Sequence, residues 1–211
     1  MTDVVIIGAG GFGREALDVA EATIHQGRDL RIAGVLDDAL STTGADLLQR
    51  RGVAFLGGLT SWLNQPDDVE FVVAVGDPAT RERLADRLEA AGLRAATLVH
   101  PSAVVGTRVV LGPGTVVCGG VQLSTEVTTG RHVHVSAGAL IGHDVTTADF
   151  VSINPGAIIS GGVQLGRGTL VGAGAVVLQN LQVGAGSTVG AAACVVRSVP
   201  PGQVVKGVPA R

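Results

Sequence analysis

Between Val99 and Pro200 every sixth position is held by an aliphatic residue or threonine, with no slip of phase. The series runs Val99, Val105, Leu111, Val117, Leu123, Thr129, Val135, Ile141, Thr147, Ile153 and on to Val195. Of its seventeen members fifteen are aliphatic and two are threonine. Four residues after each leader stands another small or aliphatic residue, as in Thr115, Val145, Ala157 and Ser187. An α-helical stripe recurs about every 3.6 residues and a strand alternates every second one, so a period of six fits neither. It predicts short strands joined by tight corners, three to a turn, stacked as a parallel β-helix. Seventeen hexads make between five and six coils.

The first ninety-odd residues follow a different pattern. Val4–Ile7 reads as a buried strand, and Gly8-Ala-Gly-Gly-Phe-Gly13 leads into a helical pattern over Arg14–His25. Arg31–Leu36 is a second strand ending in Asp37-Asp38, Gly52–Phe55 a short third, and Phe71–Val75 a further apolar run before Gly76-Asp77-Pro78. Thr80–Ala91 carries charges on one face and Leu84, Leu88 and Ala91 on the other, Gly92 closes it, and Arg94–Leu98 is a last strand. Strands alternating with helices predict a small α/β domain with a Rossmann-like parallel sheet over residues 1–97. The β-helix occupies 98–200 and a tail 201–211. His100-Pro101-Ser102 already lies in hexad phase, so the domains should pack closely, with the small one capping the open end of the solenoid.

Composition narrows the picture. The chain is 46% hydrophobic but only 2% aromatic, with 32 glycines and no tyrosine, so its interior must be tiled with small aliphatics. A net charge of −3 with scattered cations argues against nucleic acid or a membrane surface as partner. The apolar start lacks a basic flank and cleavage site, and two isolated cysteines, Cys118 and Cys194, read as packed thiols; the expected compartment is the cytoplasm.

Gly8-x-Gly10-x-x-Gly13 between a strand and a helix has the context of a phosphate-binding turn, and Asp37 or Asp38 at the next strand end can accept from a ribose. With under a hundred residues in this domain and no hydride-transfer site downstream, a nucleotide such as a nucleotide-sugar fits better than NAD; a purely structural glycine turn is the alternative. Among five histidines, His143 stands out in Ile141-Gly142-His143-Asp144. It lies two residues past an inward leader and so projects outward, with Asp144 beside it to hold the imidazole. Eighteen residues on, Gly161 leaves a gap where an extended ligand can lie. His132 and His134 lack such support, and His25 and His100 read as solvated. The histidines do not converge as a zinc site requires, so no metal is expected. Lys206-Gly-Val-Pro-Ala-Arg211 is a basic tail able to meet phosphates.

These hexads and the Lys206–Arg211 ending resemble the left-handed β-helix (hexapeptide-repeat) acyltransferases. Val5–Ala20, Gly34–Asp38 and Val73–Arg81 further resemble the PglD/NeuD-like sugar acetyltransferases. The resemblance implies a homotrimer with sites at subunit interfaces, acetyl-CoA as co-substrate between adjacent β-helices, and a nucleotide-linked amino sugar docked on the small domain. It places catalysis on His143 and Asp144, acetyl-CoA contacts on Ser152, Gly161, Ala173, Ala191 and Lys206, and acceptor contacts on Gly10, Gly11, Phe12, Asp37, Asp38, Gly76 and Ser136. The chain departs from the family pattern at Phe12 and Ser152, where histidines are common, and at Ser136, where the aminosugar enzymes carry asparagine. The expected activity is acetyl transfer to the amine of a nucleotide-linked sugar. O-acetylation of sialic acid, another sugar or a natural product is the rival within the class, and a β-helix scaffold or nucleotide sensor the rival outside it.

Overall fold

The computed structural model describes residues 1–64 and 68–211. In the α/β unit, β1 (Thr2–Ile7) lies between β2 (Leu30–Leu36) and β3 (Glu70–Val73), and β4 (Arg94–Ala95) borders β3, giving a parallel sheet in the order β2-β1-β3-β4. Helix α1 (Gly11–His25) starts inside the glycine turn, three residues before the Arg14 start read from the pattern. Gly13 makes this possible, because a Cβ there would collide with the Gly8 carbonyl. Helix α2 (Thr42–Arg51) was not read from the sequence, although both its ends are signalled. Ser41 Oγ accepts from Gly44 N at 3.0 Å, and Gly52 closes the helix at φ 69°. The strand expected at Gly52–Phe55 is reduced to a bridge between Phe55 and Val35. A single turn, α3 (Leu59–Trp62), precedes β3. Helix α4 (Pro78–Ala90) is capped by Asp77, whose Oδ2 accepts from Thr80 N at 2.7 Å. The run Arg94–Leu98 is split, because Ala96 N bonds Phe71 O in the first sheet while Leu98 N bonds Thr115 O in the solenoid.

From Leu98 the chain winds into a parallel solenoid with three walls. The first contains Leu98–Val99, Val116–Val117, His134–Val135, Ser152–Ile153 and three further strands. The second includes Val104–Val105, Gln122–Leu123, Leu140–Ile141, Ile158–Ile159, Val176–Val177 and Cys194–Val195, and the third Thr128–Thr129, Thr146–Thr147, Gln164–Leu165 and Gln182–Val183. Registers such as Val116↔His134↔Ser152 confirm an eighteen-residue step. Hexad leaders such as Val117, Val135, Ile153 and Val171 point inward and form one continuous core. The corners use one left-handed residue per hexad, filled mostly by glycine but also by Asp144 (φ 60°), Asn180, His132 and Phe150. Asp and Asn tolerate that region, whereas for a ring as bulky as Phe150 it is costly.

The α/β unit lies along the side of the first wall and not over the end of the solenoid, which corrects the expected cap. Ala16, Leu17, Val19 and Ala20 of α1 pack on Leu98, Val116 and Cys118, and the outward column Val116, His134, Ser152 is buried as a result. The first coil stays open, with Val104 62% and Val110 58% exposed. The side wall is the better partner because its outward column is apolar at Leu98 and Val116, so docking removes apolar surface from both elements. At the other end the tail closes the last coil: Val204–Val205 pairs with Thr188–Val189, and Ala210 N donates to Cys194 O at 2.7 Å. Burial pushes the Cys118 thiol up to about 12, the behaviour of a packed thiol. Among the described residues no helix is long and apolar enough to cross a membrane.

Candidate active site

His143 stands on the corner between the second and third walls, where the repeat requires Asp144 to adopt a left-handed conformation. Asp144 N donates to Thr125 O at 3.1 Å, fixing the backbone one coil away, while its Oδ2 accepts from His143 Nδ1 at 2.6 Å. That bond holds the ring in the tautomer that leaves Nε2 as the free nitrogen. The imidazole is 66% exposed and lies flat against Gly161, where a Cβ would stand 2.5 Å from Nε2. The imidazole thus lies over the gap at Gly161, and the absence of a side chain there is what seats the ring. The corner adjoins the outward face of the second wall, where Val104, Leu140 and Ile158 are exposed. The third wall presents Thr128, Thr146, Gln164 and Gln182 instead.

The loops at the carboxyl ends of β1, β2 and β3 form a second candidate region. Asp37 is held at both oxygens, Oδ2 accepting from Ala9 N at 2.7 Å and Oδ1 from Ala39 N at 2.8 Å. Asp38 Oδ1 accepts from Leu59 N at 2.8 Å. A cavity of about 380 Å³ opens here between Gly8, Asp37, Asp38, Val75, Thr80 and Arg83. A smaller one, about 190 Å³, lies on the other side of the turn between Ala9, Gly10, Arg14, Asp37 and Ser41. Crevices at the carboxyl ends of parallel strands, at the point where strand order reverses, are the usual ligand positions of such sheets. The reversal falls here between β1 and β3.

Comparison with known proteins puts both regions in context. Residues 3–88 match the family model of the PglD N-terminal domain. The acetyltransferase domain of PglB from Neisseria gonorrhoeae FA1090, solved in complex with acetyl coenzyme A, is 30% identical with a TM-score of 0.85, covering 99% of this chain and 98% of that one. The chain belongs to the PglD/NeuD-like family of hexapeptide-repeat acyltransferases. PerB from Caulobacter crescentus, solved with CoA and GDP-perosamine, is 29% identical with a TM-score of 0.87, covering 100% and 97% of the two chains. UDP-N-acetylbacillosamine N-acetyltransferase of Bacillus subtilis (strain 168) is 35% identical in an alignment 127 residues long, which covers 56% of this chain and about half, 51%, of that protein.

Within this PglD-like chain the residues expected at the site fall into separate groups. His143, Asp144 and Gly161 share one corner. Ser136, Ala173 and Ala191 lie on the corner between the first and second walls, and Lys206 stacks beneath Gly190 on that same edge. The two edges border the same apolar second wall, so a single chain does not bring them together. Gly10 and Gly11 are exposed at the start of α1. Ser152, expected at acetyl-CoA, is instead buried under the α/β unit, accepting from Arg81 Nη2 at 2.9 Å and donating to Gly76 O at 3.3 Å. Its outward position is on the first wall, which α1 and α4 cover, across the rod from the His143 corner. Phe12, expected at the acceptor, turns its ring onto His134, centroids 4.0 Å apart and planes 17° from parallel.

Sequence reasoning missed Arg81. It is fully buried and bonds no carboxylate among the described residues, yet each of its nitrogens donates. Nε reaches His132 O at 3.0 Å; Nη1 reaches Val75 O at 2.8 Å, Gly76 O at 3.1 Å and His134 Nδ1 at 3.2 Å; Nη2 reaches Phe150 O at 2.7 Å and Ser152 Oγ. Burial pulls its pKa down to about 10. His134 Nε2 donates in turn to Val73 O at 3.0 Å, so its ring is neutral with both nitrogens committed, and burial beside Arg81 holds it well below the usual range.

Proposed function

We propose that this protein transfers the acetyl group of acetyl-CoA to the amine of a nucleotide-linked amino sugar. The observation that carries this reading is the His143–Asp144 couple, held at 2.6 Å on an exposed corner, in a chain that also carries an open crevice at its strand ends. The relatives named above, with CoA, acetyl-CoA and a GDP-linked amino sugar in their structures, support the choice of substrates.

In the reaction the sugar amine attacks the thioester carbonyl carbon. His143 Nε2 takes the proton that the nitrogen loses, and Asp144 stabilises the imidazolium that forms. The tetrahedral intermediate expels the CoA thiolate, leaving the amide. A backbone N–H at Gly161 is suited to meet the oxyanion. Neither cysteine neighbours His143 in hexad phase, so transfer is direct, without an acyl-enzyme. Asp37 and Asp38 border the crevice that takes the nucleotide. A second copy laid over the apolar second wall, as in the homotrimer implied by the family pattern, would bring the Ser136–Ala173–Ala191–Lys206 edge of one chain to the His143 edge of another.

The test is acetyl-CoA consumption with UDP-, dTDP- and GDP-linked 4-amino sugars beside the same sugars without nucleotide, each followed by release of the CoA thiol. Turnover much faster with the nucleotide-linked acceptors than with the free sugars is expected. Turnover with none of these acceptors overturns the reading. In parallel, acetyl-CoA at a hundred times its Kd should raise stability by about 2.7 kcal/mol, and an unshifted melt would favour a scaffold.

A further inference from the structure

The coil that carries the candidate base begins on the first wall at His134 and returns to it at Ser152, nine residues on either side of His143. Arg81 grips both ends of that coil. On the outgoing side it bonds His132 O and His134 Nδ1, and on the returning side Phe150 O and Ser152 Oγ. Its remaining bonds run to Val75 O and Gly76 O, in the loop that follows β3. His134 extends the grip to the other loop of the crevice, because its ring stacks on Phe12 of the glycine turn while its Nε2 holds Val73 O. One buried guanidinium thus ties both borders of the nucleotide crevice to the wall opposite His143. Among the described residues no carboxylate bonds this cation; carbonyl dipoles meet its charge, those of Val75 and Gly76 in its own unit and those of His132 and Phe150 only when the two units are docked.

We propose that Arg81 is a positioning residue for the acceptor: it sets where the α/β unit holds the nucleotide relative to the coil that bears His143. This inference rests on the acetyltransferase reading above. A guanidinium suits the task because its planar fork addresses several carbonyls at fixed angles, which a lysine ammonium cannot do. Orientation matters here because displacing a reacting group by about 1 Å can cost about a hundredfold in rate.

The experiment compares wild type, Arg81→Met and Arg81→Lys on two acceptors, the nucleotide-linked amino sugar and the same sugar without its nucleotide. For Arg81→Met, kcat/KM with the nucleotide-linked acceptor should fall about a hundredfold, while kcat/KM with the free sugar and KM for acetyl-CoA stay within twofold, about the error of such a comparison. Arg81→Lys should recover part of the loss. Equal losses on both acceptors, or none on either, would overturn the proposal. Hydrogen exchange gives a readout that does not depend on turnover: in Arg81→Lys, the milder change, residues 8–14 and 73–80 should lose protection while 158–195 keep theirs. Unchanged protection over both loops would equally overturn it, even if Arg81→Met does not fold. Wild type inactive on the nucleotide-linked acceptor would instead refute the acetyltransferase reading, and the exchange result would then decide the role of Arg81 alone.

Discussion

His134 and His143 sit nine residues apart on one coil of one repeat, yet the structure gives them opposite chemistry. The His134 ring is sealed between Phe12 and Arg81, with both nitrogens bonded and its protonated form disfavoured by burial and by the Arg81 charge. The His143 ring is exposed, holds a carboxylate through one nitrogen and leaves the other free. The backbone repeat is the same in both places. What differs is the cover: the α/β unit is docked over the first wall, and the corner between the other two walls stands clear. In such a solenoid the repeat supplies positions, and the neighbouring element decides which of them can move a proton.

Replacing the exposed ring should give the largest effect. His143→Ala is expected to lower kcat about 10²–10⁴-fold while leaving the melting temperature unchanged, since the side chain buries little. Steady-state acetyl transfer beside a thermal melt checks it. Full activity in this variant would end the assignment of His143 as base. Replacing the sealed ring should do the reverse. His134→Ala leaves the Val73 carbonyl without its donor, removes one acceptor of Arg81 Nη1 and opens a cavity beside Phe12, at a cost of about 2–4 kcal/mol in unfolding free energy. Urea denaturation should show it as a lowered midpoint.

The contrast also shows what the sequence could disclose. The hexads were legible because each coil repeats the same local problem, one inward aliphatic per strand and one tight corner. His143 was legible because its acid is the next residue. Arg81 was not: it lies on a helix patterned as a charged surface, and no period links it to residues 132–152. A usable signal did exist in the corners. His132 and Phe150 occupy left-handed positions that the repeat otherwise gives largely to glycine, asparagine or aspartate, and bulky rings there mark a wall that something covers. The outward pair Leu98 and Val116 marks the same wall. Helix α2 was likewise readable from Ser41 and Gly52, whereas the docking of the α/β unit on the side of the rod depends on long-range packing that no local pattern encodes.

A smaller effect should separate the two environments by pH. Burial lowers the pKa of His132, which faces Glu89, Arg131 and Arg81, and of His134, which faces Arg81 and His132. Both are thus neutral in the folded chain at a pH where their unfolded forms, with an ordinary value of 6.5, already take up protons. The unfolded state then binds more protons, so stability is full above that value and declines as the pH falls through it. The slope is at most about 1.4 kcal/mol per pH unit for each histidine. Urea midpoints between about pH 7.5 and 5.5 should record the decline. A flat profile would mean that the wall is not sealed.

The smallest effect belongs to the rim of the same seam. Arg167 bonds Asp149 Oδ2 at 2.8 Å, pairs with Glu82 of α4, and lies over the Phe150 ring at 4.8 Å. Its side chain is 42% exposed, so water and salt screen these pairs in a way they cannot screen Arg81. Arg167→Ala should therefore cost less than about 1 kcal/mol, with the loss shrinking further as salt rises. The loss on Arg81→Lys should keep its size at high salt, because that charge is met by carbonyl dipoles inside the seam. Urea titrations of both variants at low and high salt test the pair together. Equal salt sensitivity would show that the seam is held by its rim charges and not by the buried fork at its centre.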